Sequence, residues 1–190
     1  MTTRTASRPR ERLIAAAKEL TYSQGVGVGV DAILKEANVA RRSLYEHFGG
    51  KDGLIAEVLR VTTAEDEELF RTTMRAAGDD PRVRLLSIFD MLAEVIETPD
   101  FRGCRYLSAD LALTDPDHPA HRITREYRER VHELLEEELV KAGHQQPASA
   151  ADQLMLLIDG TLAAGVTKPH TDPARLARQL ADQVIGPRRS

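Results

Sequence analysis

The sequence has no tryptophan, one cysteine, and so few aromatic residues that they fill only 4% of its 190 positions. A single cysteine can form neither an internal disulfide nor a cysteine-based zinc site. The scarcity of rings argues against a protein that binds single strands by stacking bases on an aromatic platform. Long apolar runs are missing too. The longest, "LMLLI", stops at Asp159, far short of the roughly twenty residues a membrane-crossing helix needs. The opening "MTTRTASRPR" has basic residues with no apolar stretch behind them, so it does not read as a secretory signal. No glycine-rich phosphate loop of the P-loop or dinucleotide type is present. The one Cys and six His show no nucleophile–base spacing of a catalytic triad. These absences point to a cytoplasmic protein that is not an enzyme and needs no cofactor, metal or membrane. A Cys/His enzyme is the rival from another class.

What is present is helical. Apolar residues recur at i, i+3 and i+4 in almost every segment, and no alternating strand pattern stands out. Leu13, Ala16, Ala17 and Leu20 form one stripe, closed by Gly25; Val30, Ile33, Leu34 and Ala37 form a second; Leu44 and Phe48 form a third. A long helix follows from about Lys51 to Ala77, then further helices over 81–96, 104–113, about 119–143, 150–166 and 176–184. In the "TDPDHP" stretch, Pro116 and Pro119 predict a helix start with Asp117 as its cap; a metal site at Asp117, His118 and His121 is the alternative. The fold class is therefore all-α, about nine helices. Residues 1–55 hold nine Lys/Arg against six Asp/Glu, a balance of +3, whereas the rest holds 17 against 24, a balance of −7. A basic head on an acidic body suggests a polyanion partner for the head. The functional boundary is placed at 1–50 and 51–190.

The third stripe carries the most information. "NVARRSLYEHF" (38–48) has only Leu44 and Phe48 to anchor a short helix, and presents Arg41, Arg42, Ser43, Tyr45 and His47 elsewhere. It follows the second helix after three residues, "NVA", of which Asn38 tolerates the left-handed conformation that a tight turn needs. Two short helices joined this way and braced by a third describe a helix-turn-helix, whose second helix enters the major groove. Arginine pairs bidentately with guanine, and hydroxyl groups reach phosphates.

Residues 10–59 resemble the DNA-binding domain of the TetR family of bacterial transcription regulators. The matching run is "GVGVDAILKEANVARRSLYEHFGGKDGLIAEVL", and Tyr45, Phe48, Lys51 and Leu54 are its most specific part. A later stretch, "FRGCRYLSADLAL", is similar to a segment of some members' ligand-binding domains. The resemblance implies a ligand-responsive regulator, most often a repressor. A homodimer would bind double-stranded DNA at a palindromic operator and be released by a small-molecule effector. It assigns DNA contact to Arg41, Arg42, Ser43, Tyr45 and His47, phosphate contact to Lys51 at the start of the fourth helix, and backbone contact to Gly29 and Val30. Arg8 and Arg10 are expected to precede the first helix as a loose arm. A helical ligand-binding protein without DNA regulation is the alternative. The chain departs from the family pattern at Thr21, where an aromatic is usual and the core is expected to be thinner. It also departs at Asn38 in place of Gly, and at Gly50 in place of a capping Ser.

In the larger part, the helix around "LMLLIDGTLAAG" is apolar on most faces, which predicts burial from several sides. Gly160, Ala163, Ala164 and Gly165 would permit close helix approach. By resemblance, this helix and the last one form a dimer interface of two helices per subunit. The expected effector cavity is lined by Phe70, Met74, Phe89, Leu92, Phe101, Tyr106, Leu107, Tyr127 and Met155. Asp110 and Asp159 interrupt apolar runs and need either a cationic ligand or a structural partner such as Arg105. Cys104 is either an oxidation sensor or a small buried hydrophobe.

Overall fold

Proline and asparagine set many of the element boundaries. In a computed structural model that describes residues 8–187, the helices are α1 (Pro9–Gln24), α2 (Val30–Ala37), α3 (Arg41–Phe48), α4 (Lys51–Ala76), α5 (Pro81–Ile96), α6 (Arg105–Ala112), α7 (Pro119–Lys141), α8 (Pro147–Thr167) and α9 (Pro173–Ile185). A 3-10 turn, Pro169–Thr171, stands before the last. Most of the opening segment that reads as no secretory signal lies outside the described residues. Five helices begin on proline, whose missing N–H is no loss in a first turn. Among the described residues there are no strands, as the periodicity predicts. None of the helices is long and apolar enough to cross a membrane.

The chain divides into two compact units. The first holds the chain up to Thr63 together with Arg105–Arg125; the second holds Ala64–Cys104 and the chain from Glu126 onward. Helices α4 and α7 each begin in the first unit and continue into the second. The first unit therefore includes α6 and the turn after it, which the split at residue 50 read from charge does not anticipate.

In the first unit, Leu13, Ala16, Ala17, Ile33, Leu34, Ala37, Leu44, Leu54 and Val58 form one core, with Val39 and Phe48 packed against it. Each Leu, Ile or Val among them contributes about 1.5–3 kcal/mol when fully buried. Near Thr21, where a thinner core is expected, a small, partly open hollow of ≈ 20 Å³, room for about one water, lies among Thr21, Tyr22, Val26, Ile55, Val58, Leu59, Arg105 and Ala109. In the second unit, α9 packs on α5 and α8, and Leu85, Ile88, Phe89, Leu135, Leu139 and Leu154 are fully buried. Gly165 supplies the close approach expected of it: a Cβ there would meet Ile96 Cγ1 at 2.9 Å and Phe101 Cε1 at 3.0 Å. At Gly160 nothing of the same chain lies within 4 Å of the Cβ position.

Two boundary expectations need correcting. The cap of α7 is His118, not Asp117. His118 Nδ1 accepts the Ala120 N–H at 3.1 Å, while the Asp117 N–H is itself bonded to Asp115 Oδ1. Arg10 is no loose arm. It sits in the first turn of α1, ion-paired with Glu57 and 5.7 Å from the Phe48 ring centroid, and Arg8 stands at the N-cap position, its N–H donating to Glu11 Oε2 at 3.1 Å.

Candidate nucleic-acid interface

The interface is built on the turn between α2 and α3. Asn38 takes the left-handed conformation (φ 50, ψ 54), and its N–H closes α2 on Lys35 O at 3.1 Å. Arg12 of α1 donates to Asn38 O at 3.0 Å and braces the turn from behind. Leu44 is 2% exposed and fixes the inner face of α3. The outer face is left free. Arg41, Arg42, Tyr45 and His47 are exposed and Ser43 is half-buried.

Helix ends supply the second component. The residues preceding α2 and α3, Gly29 and Ala40, offer no side-chain acceptor to the first-turn N–H groups. The Ala32 N–H donates to Gly29 O at 3.1 Å and the Ser43 N–H to Ala40 O at 3.0 Å, and no side-chain cap competes with an anion for the N–H groups at the very start of each helix. Val30, the first residue of α2, is half-buried beside the core. The corner from α3 to α4 turns on Gly49 (φ 72) and Gly50 (φ 145), which brings Lys51 to the start of α4. Gly53 makes this corner possible. A Cβ on it would sit 2.0 Å from Phe48 O, so no other residue fits without moving backbone. The sequence reading missed Gly53, because a glycine inside a helical pattern carries no local sign of a contact across a corner.

The two arginines are held differently. Arg41 is ion-paired with Asp31 of α2, so its charge is tied across the motif. Arg42 Nε donates to Glu46 Oε1 at 2.5 Å on its own helix, with the Arg42 side chain 87% exposed. Glu46 was not among the expected residues; its i+4 spacing from Arg42 was the available signal.

The expected effector liners are distributed over both units. Tyr106, Leu107 and Asp110 belong to the first unit, and the others to the second. Leu107 is 39% exposed. Phe70, Met74, Phe89, Leu92 and Tyr127 are buried core residues of the second unit, and Phe101 and Met155 are half-buried. Met155 borders an open groove of ≈ 480 Å³ together with Arg128, Glu129, His132, Glu133, Glu136 and Asp152. Both interrupting carboxylates have structural partners other than Arg105. Asp159 binds Arg128 through both oxygens, at 2.5 and 3.1 Å. Asp110 Oδ1 accepts from Thr124 at 2.8 Å and meets His121 Nδ1 at 2.9 Å. That bond, chiefly, and the Asp110 charge raise the His121 pKa above its ordinary value. Arg105 instead lies over the Tyr22 ring, 4.5 Å from its centroid. Cys104 is half-buried, just before α6.

Comparison with known proteins bears on both parts of the chain. Residues 13–58 match the profile described as bacterial regulatory proteins, tetR family, and residues 88–187 match a tetracyclin repressor-like C-terminal domain. A TetR-family transcriptional regulator from Streptomyces coelicolor, SCO4454, is 31% identical with a TM-score of 0.83, over 96% of this chain and 90% of that one. A tetR-type regulator from Streptomyces avermitilis is 34% identical with a TM-score of 0.76, over 93% and 99%. The HTH-type transcriptional regulator YjdC of Escherichia coli is 20% identical over 177 residues, 93% of each chain.

Proposed function

The chain belongs to the TetR family of bacterial regulatory proteins and is a helix-turn-helix transcription regulator; from that premise we propose that it represses transcription in the cytoplasm as an effector-released homodimer on a palindromic operator. The observation that carries this reading is the outer face of α3. A helix anchored by Leu44 alone at full burial presents Arg41, Arg42, Tyr45 and His47 outward, beside helix starts that carry no side-chain cap. Residues 1–50 read the DNA: Arg41, Arg42, Ser43, Tyr45 and His47 in the major groove, and Gly29, Val30 and Lys51 on the backbone. Residues 51–190 dimerise and take the effector.

Support for the dimer comes from α8 and α9. Leu156 is 70% exposed, Leu180 50% and Leu176 43%, and the Gly160 position is open. Leu156, Gly160 and Ala163 share one face of α8. An uncovered apolar stripe of this kind is uncommon on a monomer. A symmetric pair of such faces would set two α3 helices about 34–36 Å apart, one turn of DNA. Effector control rests on family membership and on the aromatic and Met residues of the second unit, Phe70, Met74, Phe89, Leu92, Phe101, Tyr127 and Met155. Helix α4 is continuous from Lys51 to the region of Phe70 and Met74.

The test is duplex binding. Lys51→Ala should weaken binding to all sequences alike and flatten the salt dependence by about one unit per site. A parent protein that binds no duplex at low salt would sink the reading.

A further inference from the structure

We propose that His118 is a positioning residue for the DNA interface: it draws the Asp52 carboxylate aside from the phosphate position at the start of α4. The proposal rests on the reading of Lys51 and the α4 N-terminus given above, and its residues all lie in the first unit.

The turn between α6 and α7 is rigidly built. His121 meets only acceptors: Asp110 Oδ1 at 2.9 Å through Nδ1, and Leu113 O and Asp115 O, each at 3.1 Å, through Nε2. That arrangement suits a ring donating from both nitrogens. His118, held in this turn, is 7% exposed. Its Nδ1 is used as an acceptor by the Ala120 N–H, so in the neutral ring the proton sits on Nε2. That Nε2 is buried and has no hydrogen-bond partner among the described residues. It lies 3.6 Å from Asp52 Oδ1. This is beyond a direct hydrogen bond but close enough for attraction or for a bridging water.

Asp52 is the second residue of α4, next to Lys51, and its side chain is 75% exposed. A carboxylate in a first helical turn suits the helix dipole. The same carboxylate opposes a phosphate approaching that turn. A buried ring nitrogen 3.6 Å from the Asp52 carboxylate resolves the conflict, holding the charge near the helix end and away from the phosphate. His118 thus does two jobs with two nitrogens: Nδ1 caps α7 and Nε2 restrains Asp52.

The two jobs can be separated. His118→Asn keeps a short side-chain acceptor at the cap and removes the donor that faces Asp52. On a random-sequence duplex at low salt it should bind roughly three- to tenfold more weakly, the size of one ordinary hydrogen-bond contribution. Adding Asp52→Asn should cancel the loss, so that the double variant binds like Asp52→Asn alone. In the parent background Asp52→Asn should change affinity less than about twofold, because the carboxylate is already held back; this arm needs no folded His118 variant. Unchanged affinity in His118→Asn, a loss that persists in the double variant, or a large gain from Asp52→Asn in the parent would each overturn the proposal. Lys51→Ala with no effect on duplex binding would instead overturn the interface reading on which it stands.

Discussion

Helices α3 and α8 solve the same problem with opposite chemistry. Each is anchored by a buried face and leaves the other face uncovered. On α3 the buried face is nearly one residue, Leu44, and the open face carries Arg41, Arg42, Tyr45, Glu46 and His47. On α8 the buried face is long, with Ala150, Ala151, Leu154, Ile158, Thr161 and Gly165, and the open face carries Leu156, Gly160, Ala163 and Val166. A charged open face gains little from a second protein surface and much from a polyanion. An apolar open face gains from removal of water, most simply against its own copy. What each uncovered face is made of therefore indicates what should cover it.

The largest expected effect comes from converting one chemistry into the other. Leu156→Glu combined with Leu180→Glu should leave the fold intact, since both side chains are at least half exposed, and should separate the subunits. Sedimentation should then give the 21.1 kDa chain mass rather than twice that. Operator affinity should fall by about 100-fold or more, because the second half-site no longer binds intramolecularly. A variant that remains a dimer with full affinity would break the comparison on the α8 side.

Next come the glycines, which separate a closed face from an open one. Gly53→Ala places a methyl group 2.0 Å from Phe48 O. It should destabilise by about 1–3 kcal/mol or more and disable duplex binding together with the corner that positions Lys51. Gly160→Ala meets nothing within 4 Å in its own chain and should leave monomer stability unchanged or slightly raised. Thermal unfolding of the two substitutions in the monomeric Leu156→Glu, Leu180→Glu background checks the contrast. Equal losses would mean that the Gly160 face is not open.

Arg42 and Lys51 then divide specificity from affinity. Arg42→Ala should lose about 1–3 kcal/mol on the operator if the guanidinium holds a guanine, and much less on random duplex. Lys51→Ala should lose similarly on both. Competition binding with operator and random duplex measures the difference. Identical behaviour of the two variants would show that the outer face of α3 is only an electrostatic surface.

Local chemistry made much of this readable before the structure. Asn38 at the turn, Leu44 and Phe48 as anchors, and prolines at helix starts all act within a few residues, so spacing alone reveals them. What stayed hidden depends on distant partners. Arg128 reaches Asp159 across 31 positions, Arg105 reaches Tyr22, and α6 joins the first unit; periodicity carries no sign of any of these. Gly160 and Gly165 look alike in sequence. Only packing against Ile96 and Phe101 tells the buried one from the open one. The choice of His118 over Asp117 as the α7 cap turned on one position of register, the least reliable feature of a helix start.

The smallest expected effect concerns pH, and it separates the two regions by their sensitivity to charge. The α6–α7 turn is held by His121 against Asp110 and two carbonyl oxygens, whereas the uncovered stripe of α8 and α9 is carried by Leu156, Leu176 and Leu180. The hydrogen bond to Asp110, chiefly, raises the His121 pKa above 6.5 in the folded chain. The folded state therefore binds this proton more tightly than the unfolded state does. The resulting stability is fully present below the unfolded pKa of 6.5 and disappears as pH rises through the folded pKa. For a pair whose side chains are 20% and 32% exposed, the contribution is no more than about 1 kcal/mol after solvent screening. His121→Gln should accordingly be less stable than the parent near about pH 6, with the gap narrowing toward about pH 9. Leu156→Glu with Leu180→Glu, compared at a concentration where both proteins are monomeric, should show no such narrowing over the same range, because the glutamates are ionised throughout. A parent-to-His121→Gln gap that is constant with pH would mean that the turn is held by shape alone and that the imidazolium contributes nothing.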